Sequence, residues 1–151
     1  MKKILLCLIV VLMLTGCGVK YKEGVYEDYV MEEYNGQNNK VTAKIEVDKN
    51  GKISNVYLDS TYTTSEGVQT TKKTLGNAYG MKGVSSNIGK IEGGAEWYEQ
   101  VEALEKAVVN NQGIDFIKLN ENKTTDSVTG CTISIDGLYR ALEKTLEKAK
   151  K

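Results

Sequence analysis

From Val41 to Val47 apolar and polar residues alternate strictly, with Val41, Ala43, Ile45 and Val47 set against Thr42, Lys44 and Glu46. Successive side chains of a strand point to opposite faces, so this pattern predicts a strand with one face in a core. Asn50-Gly51 follows and favours a tight hairpin turn. The chain returns as a strand over Ile53–Leu58, with Val56 and Leu58 on one face. Parity shifts after Ile53, which predicts a bulge or burial on both faces. Ahead of this hairpin, Tyr26–Tyr34 is rich in tyrosine and valine and reads as a first strand. Asn35-Gly36 and the polar Gln37-Asn38-Asn39 form the turn between them.

Farther on the repeat becomes helical. Trp97, Val101, Leu104 and Val108 recur on one face of a helix over Glu96–Asn111, with Glu99, Glu102 and Lys106 outside it. Gln112-Gly113 marks its end. A last helix presents Leu138, Ala141, Leu142, Thr145, Leu146 and Ala149 on its apolar face, with Asp136 as the expected N-cap. Its outer residues Arg140, Glu143, Lys144, Glu147 and Lys148 read as solvated surface. Ile114–Leu119 reads as a short apolar strand, and Asn120–Thr125 as a polar turn. Thr61–Thr74 holds six threonines with little periodicity and is expected as a loop or frayed edge. Leu75–Gly94 holds six glycines without any G-x-G-x-x-G or Walker pattern, so it is no recognisable nucleotide loop. Two readings of it stand side by side, a surface loop and a loop that covers a bound ring. Together these elements predict an α+β fold, a twisted and mainly antiparallel sheet packed with two main helices.

Composition narrows the chemistry. With 151 residues, 40% hydrophobic and 26% charged, the chain suffices for one domain with a core. It has 20 basic and 20 acidic side chains, so it carries no basic footprint for nucleic acid. Histidine is absent, which removes Ser-His-Asp and Cys-His centres and His-ligated metal sites. The three cysteines, Cys7, Cys17 and Cys131, form no C-x-x-C motif, and no metal site is expected. Cys131 reads as a small buried hydrophobe.

The N-terminus reads as a leader. Lys2 and Lys3 precede an apolar run of eleven residues, Ile4–Leu14, too short to span a hydrocarbon core of ~30 Å as a helix. Leu14-Thr15-Gly16-Cys17 then looks like a bacterial lipobox, with cleavage before Cys17 and lipid on its thiol. A secreted protein cut elsewhere is the alternative. The expected organisation is a signal peptide over 1–16, a lipid-anchored tether over 17–23 and a single domain over 24–151. Removing Lys2 and Lys3 leaves the mature chain slightly acidic, so the bilayer contact would come from the acylated Cys17 and not from charge.

The stretch Asp126-Ser-Val-Thr-Gly-Cys-Thr-Ile-Ser134 gathers small and hydroxylated residues around one glycine just before the last helix. It suits a tight turn that presents a hydroxyl near unpaired helix amides, which favour an anion such as phosphate. The stretch resembles the attachment motif of the FMN-binding domain family, found in flavin-carrying subunits of sodium-pumping NADH:quinone reductases and Rnf complexes and in Gram-positive flavolipoproteins. That pattern is an acid, two variable residues, Ser or Thr, Gly, Ala and Thr. Asp126, Thr129, Gly130, Cys131 and Thr132 match it, with Cys131 in place of the alanine. The resemblance implies FMN joined to Thr132 by a phosphoester, made by a flavin transferase using FAD. Asp126 would orient the turn or meet the transferase's magnesium site; a turn-capping carboxylate is its plain structural role. The hairpin also resembles the opening of that domain. Lys73-Thr74-Leu75-Gly76, Tyr79-Gly80-Met81-Lys82, Glu96-Trp97-Tyr98 and Gln100 look like the flavolipoprotein segments around the central helix. Tyr79, Met81 and Trp97 are thereby candidate ring contacts, although Trp97 at its helical spacing also reads as core. The implied function is an electron carrier on the outer face of the cell membrane. It would take electrons from a membrane dehydrogenase or the quinone pool and pass them to an extracellular acceptor, with no catalytic acid or base of its own. A lipoprotein binding or structural module of the same fold without a redox group is the competing reading.

Overall fold

A computed structural model describes residues 20–34 and 36–151. The expected leader, the lipobox and Cys17 lie outside the described residues, as does Asn35 of the expected turn. The fold is α+β, a four-stranded antiparallel meander in the order β1-β2-β3-β4 with helices packed against it. β1 (Gly24–Tyr34) pairs with β2 (Gln37–Val47) along its whole length, from Gly24↔Val47 to Tyr34↔Gln37. β2 pairs with β3 (Ile53–Thr63), and the register slips between Glu46 and Val47, the bulge expected from the parity shift. Asp48 closes the hairpin between them, its Oδ1 accepting from Asn50 N and Lys52 N, each at 2.9 Å. Those bonds hold the Asp48 carboxyl below its ordinary value.

The alternating strand behaves as its pattern requires. Val41, Ala43, Ile45 and Val47 are buried, and the residues between them face outward. α3 (Trp97–Asn111) packs on β3, and α4 (Asp136–Ala149) packs on β1 and β2. The apolar stripes of both helices join the inward residues of β2 and β3 in one continuous core. Glu99 reaches back to accept from the Glu96 amide at 2.7 Å and caps the start of α3. Its end is set by Gln112, in the left-handed region at φ 55, whose side chain pairs with both backbone polar groups of Ile53 at 2.8 and 2.9 Å.

Several expectations change, and Gln37-Asn38-Asn39, expected in the turn, opens strand β2. The threonine-rich segment is ordered: β3 runs on to Thr63, Gln69–Thr71 forms edge strand β4, and Lys72–Leu75 forms the short helix α1. An edge strand of three residues is too short to show apolar alternation, so its pattern is silent. The glycine-rich stretch contains a 3-10 turn over Gly76–Tyr79 and helix α2 (Lys82–Ile88). Gly94 lets this segment close on itself, because a Cβ there would run into the Lys82 carbonyl oxygen. Ile114–Leu119 is not a strand; Ile114 and Ile117 are buried within a turn, and Leu119 makes only an isolated bridge to Thr125. Asp136 is not the N-cap of α4. Ile135 takes that position, held by its amide bond to the Lys123 carbonyl at 2.9 Å, and Asp136 instead pairs with Arg140 in the first turn.

The chain joins the fold earlier than the expected boundary at residue 24. Tyr21 is 2% exposed, bridges to Lys150, and is followed by a bond from Lys22 N to Ala149 O at 2.8 Å. Tyr21 and Lys22 are therefore tied to the fold ahead of β1.

Candidate functional site

The N-terminal ends of α3 and the segment leading into α4 converge with the end of β1, α1 and α2. Between them lies a cavity of about 250 Å³. That is close to the lower end of the ~300–1,000 Å³ common for small-molecule sites, room for one flat ring system. Tyr34 comes from β1, Lys72 from α1, Tyr79 and Met81 from the glycine-rich segment, and Trp97 and Gln100 from α3. Val84 and Ile88 of α2 form an exposed apolar rim, and Thr132, Ile133 and Ser134 form the opposite wall.

The walls are aromatic. Tyr79 and Trp97 meet edge to face with ring centroids 6.4 Å apart, and Tyr62 backs Tyr79 at 5.3 Å. Burial pushes the Tyr79 phenol up to about 12, so it stays neutral at physiological pH. Trp97 is 4% exposed, in keeping with the core reading, and it also lines the cavity. Met81 is fixed by its amide bond to Glu96 Oε2 at 2.8 Å.

Thr132 stands where this cavity meets a second hollow of about 290 Å³, lined by Lys90 and by Asp126, Thr129, Gly130 and Cys131. The structure thus gathers the sequence candidates into two adjoining sets. Tyr79, Met81 and Trp97 lie on the aromatic side; Asp126, Thr129, Gly130 and Cys131 lie on the polar side; Thr132 belongs to both. Asp126 is exposed, receives Asn120 Nδ2 at 3.2 Å and sits 3.7 Å from Lys90 Nζ. A surface pair of this kind contributes little to stability. Thr129 is exposed. Gly130 has φ 83, a left-handed turn that favours glycine, while space for a Cβ is available beside Ala103. Cys131 is 2% exposed, and burial pushes its thiol up to about 11.

Thr132 is held by Gln100, which sequence reasoning left without a role. Gln100 is fully buried; its Oε1 accepts from Thr132 N at 2.8 Å and from Thr132 Oγ1 at 3.0 Å, and its Nε2 donates to Ala95 O at 3.2 Å. A polar residue inside the stripe Trp97, Val101, Leu104 was the available signal. Lys72 was missed too, because it sits in a threonine-rich run with no pattern. Its Nζ lies 5.5, 5.4 and 5.2 Å from the ring centroids of Tyr34, Tyr79 and Trp97. Desolvation lowers its pKa, against the pull of Glu32 and Asp59.

The expected use of free helix amides near Thr132 is not what the geometry offers. Thr132 lies four residues ahead of α4, and its amide is taken by Gln100. The first turn of α4 faces the Glu32 carboxylate, which comes so close to Gly137 that a Cβ there would stand 2.7 Å from Glu32 Oε2. An anion on Thr132 would therefore lie outside that turn, towards the hollow that Lys90 lines.

No protein-family model, no curated protein and no solved structure matches the chain. Class and chemistry rest on the residues themselves: an α+β domain with a hydroxyl at the junction of an aromatic cavity and a polar hollow. That arrangement suits a ligand with a flat ring at one end and an anionic group joined to the hydroxyl at the other.

Proposed function

We propose that the protein is a lipid-anchored, extracytoplasmic electron carrier with FMN joined covalently to Thr132. The observation that carries this reading is Thr132 itself, shared by the aromatic cavity and the hollow lined by Asp126–Cys131. FMN fits this donor set: rings of Tyr34, Tyr79 and Trp97 for a flat heterocycle, and a hydroxyl for the phosphate. When bound, FMN supplies one- and two-electron redox chemistry.

Attachment needs a flavin transferase and FAD. Thr132 Oγ1 forms the new P–O bond, the P–O–P bond of FAD breaks, AMP leaves with the bonding electrons, and the hydroxyl proton passes to the transferase. Gln100 orients that hydroxyl beforehand but cannot take the proton, because an amide oxygen is a poor base. Gly130 and exposed Thr129 keep the approach open from the polar side. Val84, Ile88 and Met81 give one side of the cavity an apolar lining. Carrying electrons requires no acid or base, in keeping with a chain that has no histidine.

The chain enters the fold at Lys20–Lys22, beside the C-terminal ends of α3 and α4. The cavity lies at their N-terminal ends, about 22 Å away along α3. With Cys17 acylated, the ring site would face away from the bilayer. That favours a donor whose own redox group stands clear of the membrane, a dehydrogenase domain over a quinone within the lipid.

The test is direct. Protein purified from its host should fluoresce as a flavin band after denaturation. Co-expression with a flavin transferase should add the mass of FMN less one water. Thr132→Ala should abolish the addition and Thr129→Ala should keep it. A mass shift that survives Thr132→Ala refutes the site, and flavin-free protein from the host refutes the carrier. Cys17→Ser should release the protein from membranes; unchanged fractionation counts against the anchor.

A further inference from the structure

Helix α1 carries two adjacent lysines with different surroundings. Lys73 is used inside the fold: its Nζ meets Glu105 Oε1 at 2.6 Å, with side chains 14% and 11% exposed. Its amide donates to Asp59 Oδ1 at 3.1 Å, and Thr71 Oγ1 caps the helix at Thr74 N, also at 3.1 Å. These bonds fix α1 from behind. Lys72, on the cavity side, has the three rings of Tyr34, Tyr79 and Trp97 at 5.2 to 5.5 Å from its Nζ. Among the described residues its ammonium makes no hydrogen bond and no ion pair within 4.0 Å, although Glu32 lines the same cavity. The rings attract the charge but take the place of water, so three N–H donors face the cavity with no strong acceptor. Such a group is completed by a ligand that brings acceptors.

We propose that Lys72 orients the bound ring and sets its reduction potential, by donating from Nζ to a carbonyl-bearing edge of that ring. This rests on the flavin reading above. Reduction adds electron density to that edge, so a fixed cation stabilises the reduced form more than the oxidised one. Glu32 acts in the opposite sense from its place against Gly137, and neutral Tyr79 adds no charge. Among the described residues Lys72 is thus the one cation lining the cavity.

Flavin-loaded wild type, Lys72→Met, Lys72→Gln and Lys72→Arg separate the possibilities. Methionine keeps the length of the stem and its contact with the rings, so folding and loading should persist. Redox titration followed by ring absorbance should show the reduction equilibrium of Lys72→Met and Lys72→Gln lowered at least about tenfold, ~30 mV for a two-electron couple. Lys72→Arg should stay close to wild type. Thr132→Ala, which carries no covalent ring, gives an independent readout: FMN titrated into it quenches Trp97, the single tryptophan. Adding Lys72→Met to it should weaken that binding about tenfold, since a hydrogen bond to a charged group is lost. Neutral variants that carry flavin at the wild-type potential overturn the proposal and leave the flavin reading intact. Wild-type protein that never accepts flavin overturns both.

Discussion

Replacing Gln100 by leucine tests the fold and the site together. The side chain is fully buried in α3 and has little freedom to adjust. Its Oε1 serves both Thr132 N and Thr132 Oγ1, at 2.8 and 3.0 Å, and its Nε2 serves Ala95 O at 3.2 Å with Met81 Sδ at 3.8 Å. Leucine is slightly larger and branched, so the substitution removes no volume from the core. The loss is polar. The Thr132 amide loses its acceptor and the Ala95 carbonyl loses this donor, while the Thr132 hydroxyl can turn to water in the cavity. An unmet buried donor or acceptor costs about 1–3 kcal/mol, and both groups are only partly buried, which places each near the lower bound. Burying leucine in place of an amide returns about 1 kcal/mol. The expected net loss is about 1–2 kcal/mol. Urea denaturation followed by Trp97 fluorescence measures it, with the slope unchanged. A double-mutant cycle with Thr132→Val, which removes only the hydroxyl, should return a coupling of about 0.5–1 kcal/mol. Flavin addition should also slow, because the hydroxyl is no longer held in one orientation. A stability change indistinguishable from zero, with no coupling to Thr132, would refute this account of how Thr132 is positioned.

Three further outcomes follow from the same geometry. Burial raises the Glu105 carboxyl above its ordinary 4.5, against the opposing pull of Lys73 and the Leu58 amide. The folded state thus holds that proton more tightly than the unfolded chain, so this stability is present below pH 4.5 and fades as pH rises through the folded value. Glu105→Gln should flatten that part of the stability profile, and a profile of unchanged slope would refute the assignment. Cys131, with its thiol pushed up to about 11, should resist iodoacetamide at pH 8 in the folded protein, where roughly one thiol in a thousand is ionised, and react on unfolding; fast native labelling by peptide mass would contradict its burial. Gly94→Ala places a Cβ against the Lys82 carbonyl and 2.8 Å from Ser86 N at φ 71, so it should cost about 2–4 kcal/mol and detach α2 from the cavity, read as loss of protection at Val84–Ile88 in hydrogen exchange.

The sequence alone was enough for the parts whose burial is set locally. The alternation Val41–Val47 faces one sheet side and one helix layer, so every second residue had to be apolar, and the bulge was visible where parity slipped. The stripes of α3 and α4 were legible for the same reason: a helix packed on a sheet repeats its contact about every 3.6 residues. Periodicity fails where an element is only three or four residues long, as at β4 and α1, or packed only at one or two points, as at Ile114 and Ile117.

The site divides along the same line. A hydroxyl beside glycine could be picked out at Thr132 because its neighbours lie next to it in the chain. Tertiary structure alone decided that Glu32, Lys72, Gln100 and Thr132 share one cavity. The orientation of Thr132 comes from a residue 32 positions away, and the aromatic surroundings of Lys72 come from β1, the glycine-rich segment and α3. No local pattern specifies these meetings. They are fixed by the packing of α3 on β3 and α4 on β1 and β2, which brings the ends of distant elements within reach of each other.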